Sequence, residues 1–72
     1  MLLRDYIRIC CIRKSTALAE VARKAGMSAQ NLSNKMSRNK FTNDDLEKIA
    51  AALDTKLEIR FYDPATNQYL EE

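Results

Sequence analysis

Seventy-two residues, 46% of them hydrophobic and with a net charge of +2, make one small domain, near the lower limit for a core held without metal or disulfides. A single Gly, a single Pro and a 31% charged fraction exclude a disordered chain. Arg4, Asp5 and Arg8 interrupt the apolar start, and no run reaches the roughly 18 apolar residues of a spanning helix, so neither secretion nor membrane insertion is expected.

Residues 2–14 read as a first helix with Leu3, Tyr6, Ile7 and Cys10 inward and Arg4 and Arg8 one turn apart on another side. Cys10 and Cys11 point different ways on a helix and do not bridge each other. With no His and no second cysteine pair, no zinc site is available, and neither metal nor cofactor is expected. The two thiols read as small hydrophobes, and unbridged thiols fit a cytoplasmic protein.

Arg13, Lys14 and Ser15 lead directly into a second helix, which either Ser15 or Thr16 can cap. Leu18, Val21, Ala22 and Ala25 recur at i, i+3, i+4 and i+7, one apolar helical face. Gly26 closes that helix, because a residue without Cβ takes the left-handed conformation that a C-cap needs. Ser28 then caps a third helix over residues 28–36, with Leu32 and Met36 on its buried side. Helix, Gly turn and capped helix outline a helix-turn-helix. The exposed side of the third helix carries Gln30, Asn31, Ser33, Asn34 and Lys35, and no acid occurs from there through Arg38 and Lys40. Amides can bond an adenine edge and cations can meet phosphates or guanine, although an amide-rich solvated face is the plainer account of such a pattern alone.

Charge is segregated along the chain. Residues 1–40 hold nine Lys/Arg against Asp5 and Glu20, and residues 41–72 hold three against eight acids, so the halves carry +7 and −5. A basic half of that size suits a polyanionic partner.

Ser37–Phe41 reads as a loop whose aromatic residue closes the core rather than stacking on a base. Thr42 caps a fourth helix, with Asp44 and Asp45 in its first turn and Leu46, Ile49, Ala50 and Leu53 on its core face. From Lys56 to Tyr62 charged and apolar residues alternate, which predicts a half-buried strand with Leu57, Ile59 and Phe61 toward the helices. Asp63–Asn67 supplies a turn, and Gln68–Leu70 can return as a second strand. The expected architecture is mainly α, four helices with a C-terminal β-hairpin. Residues 1–55 form the helical unit, and residues 56–72 form a hairpin in the same compact domain. Catalysis has little to work with, since there is no His and no Gly-rich phosphate loop, and an enzyme is not expected.

Residues 16–53 resemble the Cro/repressor-type (XRE-family) helix-turn-helix domain. The pair Ala22 and Gly26, the turn Gly26-Met27-Ser28, and Leu32 in the following helix carry the resemblance. It departs at Leu18, where Gln is usual, and at Ala17, where Ser or Thr is usual, so one phosphate contact and one cap have no side chain to make them. Lys35 occupies a usual apolar position, and Met36 takes over the packing there. The resemblance implies a repressor-type transcriptional regulator that sets the third helix in the major groove of double-stranded DNA. Gln30 and Asn34 would then read bases, while Ser28, Asn31, Ser33, Lys35, Arg38 and Lys40 hold phosphates. A homodimer through the C-terminal strands is expected, paired either about Ile59 or through Gln68–Leu70. The alternatives are the antitoxin of a toxin–antitoxin pair, with a toxin as protein partner, and a protein-interaction module that keeps only the shape.

Overall fold

The computed structural model describes residues 1–70. Four helices run in the order α1 (Leu3–Arg13), α2 (Leu18–Lys24), α3 (Ala29–Arg38) and α4 (Asn43–Ala52), followed by β1 (Phe61–Asp63) and β2 (Gln68–Leu70). α2 touches all three other helices and is the centre of the bundle. Its apolar face supplies Val21 and Ala22, which meet Ile7 and Cys11 of α1, Leu32 and Met36 of α3, Ile49 of α4 and Leu53 just after it in one core. Burying a side chain such as Val21, Leu32 or Ile49 contributes roughly 1.5–3 kcal/mol each, and these three are the largest fully covered ones. Phe41 packs against the edge of that core, as expected of an aromatic beneath a loop.

All four helices end in the same way. A residue with positive φ follows each one, at Ser15, Gly26, Asn39 and Asp54. The next backbone N–H then reaches back into the last turn, from Thr16 to Cys11, Met27 to Ala22, Lys40 to Lys35 and Thr55 to Ala50. These 6→1 closures satisfy carbonyls that a helix end leaves open. Only one of the four uses the residue that takes this conformation without strain, Gly26 at φ 73°.

The closure of α1 corrects the expected cap of α2. Ser15 is the left-handed residue, and the Thr16 hydroxyl donates to the Lys14 carbonyl at 3.0 Å, so both are committed to the preceding turn. The N-cap is Ala17, which makes no side-chain cap bond. α1 faces inward through Ile7, which is buried as expected, and Cys10, which packs half-buried against the core. Cys11 is buried as well, whereas Leu3 and Tyr6 are exposed along an open apolar groove of about 240 Å³ shared with Leu46 and Leu57.

The C-terminal third is a hairpin whose ladder, among the described residues, is three pairs long. Antiparallel pairing joins Phe61 to Leu70, Tyr62 to Tyr69 and Asp63 to Gln68, and residues 56–60 lie outside the ladder. Leu57 is half-buried beside the groove, while Ile59 and Phe61, expected to face the helices, are 64% and 74% exposed. The hairpin instead packs on itself. Tyr62 and Tyr69 rings lie 5.4 Å apart, and the Arg60 guanidinium sits 5.2 Å from the Tyr69 ring centre. Asp63 Oδ1 accepts from the Ala65 N–H at 2.9 Å, and Asn67 takes φ 57°, which together build the turn. The molecule extends 42 Å along its long axis against 23 and 20 Å across.

Candidate nucleic-acid interface

The turn between α2 and α3 sets the site. Gly26 reverses the chain, and Ser28 stops the extended segment by accepting from the Asn31 N–H through Oγ at 3.0 Å. With one lone pair used in capping, the Ser28 hydroxyl still has its proton to donate. Ala22, nearly fully covered at the α2–α3 crossing, has the small side chain that a close approach needs.

α3 runs two residues beyond the expected end, to Arg38, so Ser37 and Arg38 extend its exposed side instead of starting a loop. Leu32 and Met36 anchor it in the core, while Gln30, Asn31, Ser33, Asn34, Ser37 and Arg38 are exposed. No carboxylate lies on the helix. Gln30 Nε2 donates to Asn34 Oδ1 at 3.0 Å, one turn away. This bond leaves the Gln30 Oε1, its second Nε2 hydrogen and both Asn34 Nδ2 hydrogens for an external partner. Lys40 is exposed just past the helix.

Lys35 is placed differently from its neighbours. Its ammonium lies 2.9 Å from Oδ2 of Asp45 on α4, and the two side chains are only 25% and 13% exposed. The Lys35 hydrogen bond, helped by the Thr42 N–H, holds the Asp45 carboxyl below the usual carboxylate range. Its position one turn after Leu32 gives α3 an edge toward α4, but nothing in the spacing marks Asp45 as the partner.

Two residues outside the expected set hold the far end of α3. The Arg4 N–H donates to Asn39 Oδ1 at 3.0 Å, and Arg4 Nη1 donates to the Ser37 carbonyl at 3.0 Å. Both acids of the basic half are themselves engaged. Asp5 accepts from the Leu2 N–H at 3.0 Å, and Glu20 pairs with Arg23, which lowers the Glu20 pKa. Among the described residues there is no group of His, Cys, Asp and Glu able to hold a metal ion. None of the described helices is long and apolar enough to cross a membrane.

Two helices joined by a Gly-closed turn, with the second presenting an acid-free polar side, define a helix-turn-helix domain. Residues 7–58 match the Cro/C1-type HTH DNA-binding domain, and the chain belongs to that family. No curated protein and no solved structure matches it.

Proposed function

We propose that this DNA-binding domain serves as a sequence-specific, double-stranded-DNA-binding transcriptional regulator of the repressor type. The supporting observation is the exposed side of α3, which offers amides, hydroxyls and a guanidinium without a single carboxylate. In that role α3 enters the major groove with its N-terminal half at the base edges. The free Oε1 and Nε2 hydrogen of Gln30 match the N6 donor and N7 acceptor of adenine. Asn34, bonded to Gln30, orients that amide and adds its own Nδ2 donors to the next base. Ser28, Asn31, Ser33, Arg38 and Lys40 meet phosphates on either side.

The regulator acts as a homodimer, because one small domain reads few base pairs and a two-fold pair presents two recognition helices about 34 Å apart. Residues 1–55 hold every buried side chain among the described residues, which leaves the described part of the hairpin segment, 56–70, available as the dimerisation element. Phe61 and its cross-strand partner Leu70 are 74% and 61% exposed, an apolar pair with nothing over it in one copy.

Affinity for generic duplex DNA across a salt series tests the DNA role. The logarithm of the binding constant should fall linearly with the logarithm of salt, with a slope of roughly −0.9 per phosphate neutralised. A flat response would instead make the domain a protein-interaction module.

A further inference from the structure

The proposed DNA-reading role leaves one cation on α3 unexplained. Lys35 stands between Asn34, on the exposed side, and Met36, in the core, yet its ammonium points at neither DNA side nor solvent but at Asp45. We propose that Lys35 is a positioning residue: its pair with Asp45 fixes the roll of α3 against α4 and so determines which base edges Gln30 and Asn34 reach.

Geometry supports this in three ways. Asp45 is itself anchored, since the Oδ2 that meets Lys35 also accepts from the Thr42 N–H at 2.9 Å, and the Asp45 N–H donates to Thr42 Oγ1 at 3.0 Å. The pair therefore ties the last turn of α3 to the fixed start of α4. Second, Leu32 and Met36 lie one turn apart along a single side of α3, a line of contact about which a helix can roll. Lys35 adds a tether off that line. A roll of about 10° moves side-chain tips on a cylinder of ~6 Å radius by about 1 Å, which exceeds the distance window of a good hydrogen bond. Third, the pair is neutral as a unit. A Lys35 that left for a phosphate would strand a mostly covered carboxylate near the DNA, so the ammonium gains little by moving.

The test uses full-length Lys35→Met, which keeps most of the stem without the charge, together with Asp45→Asn, the double variant and Lys35→Arg. Two readouts apply: the ratio of binding to a selected duplex over generic duplex with the salt slope of each, and the α3–α4 angle of the free protein from residual dipolar couplings. The expected result is a ratio lowered about fivefold or more in either single variant, no further loss in the double, an unchanged salt slope, and recovery in Lys35→Arg. The angle should shift in the same variants. A salt slope lowered by about one in Lys35→Met would make Lys35 a phosphate contact and overturn the proposal. Lower thermal stability with the ratio and angle both unchanged would make the pair merely structural and equally overturn it. If the parent protein bound no duplex at all, the DNA role would fall, and the angle measurement alone would decide whether the pair positions α3.

Discussion

Arg4 and Asn39 cap one another's helices. The Arg4 N–H, unsatisfied in the first turn of α1, donates to Asn39 Oδ1, while Asn39 closes α3 in the left-handed conformation at φ 51°. The Arg4 guanidinium completes the exchange by bonding the Ser37 carbonyl near the end of α3. A contact 35 residues apart in sequence thus fixes the distal end of the helix that carries the polar face.

Asn39→Ala should therefore lose the tie and add left-handed strain, for a total of about 1–3 kcal/mol. Asn39→Gly, which loses the tie but relieves the strain, should cost less. Urea unfolding gives the two values, and an equal cost would mean that backbone strain plays no part at this position.

The four helix ends make a second, opposed pair of predictions. A Cβ at Gly26 would meet nothing within 4 Å, so Gly26→Ala isolates the cost of φ 73°, about 1–2 kcal/mol. Ser15, at φ 50° in the equivalent place after α1, should respond in the other direction. Ser15→Gly is expected to stabilise by roughly 0.5–1 kcal/mol, the strain relieved less the extra freedom of the unfolded chain. Thermal midpoints moving the same way in both variants would contradict the shared geometry.

Much of this was legible in the residues. Gly26, Ser28, Thr42 and the apolar spacing of Val21, Leu32 and Ile49 act locally, so the helices, the turn and two caps follow from neighbours within a few positions. What failed depended on longer reach or on competition. Ser15 and Thr16 have the chemistry of caps but were drawn into closing α1, which left α2 to Ala17. Lys56–Arg60 alternate like a strand, yet among the described residues the ladder begins at Phe61, and alternation cannot supply a partner. At the interface, the polar residues of α3 were visible, whereas the Lys35–Asp45 pair and the Arg4 tie join separate helices and leave no periodic signal.

Acid titration should reveal the Asp45 contribution. Its folded pKa lies below the ordinary carboxylate value because of Lys35 and then the Thr42 N–H, so its stabilisation is fully present above about pH 4. That stabilisation is lost as pH falls through the lower folded value. The stability difference between the parent protein and Asp45→Asn should therefore be constant near neutrality and narrow below about pH 4. A gap that widened on acidification would reverse the sign of the interaction.

On the proposed hairpin-mediated homodimer, Phe61→Glu should leave a folded monomer. The ring is 74% exposed and is not one of the buried core residues, so urea stability of the monomeric unit should change by no more than about 0.5 kcal/mol. Sedimentation at high micromolar concentration reads the assembly, and a dimer unaffected by Phe61→Glu would move the interface away from the hairpin.

The sharpest measurement compares reading with anchoring on the same operator. A preferred duplex is selected from random sequence, and Gln30→Ala and Arg38→Ala are each titrated against it and against its single-base variants. Gln30→Ala should cost about 1–3 kcal/mol on the preferred site and blur the choice at one or two base pairs, while Arg38→Ala weakens every duplex alike and lowers the salt slope by about one. If Gln30→Ala left the ranking of sites unchanged, α3 would not be the element that reads the sequence.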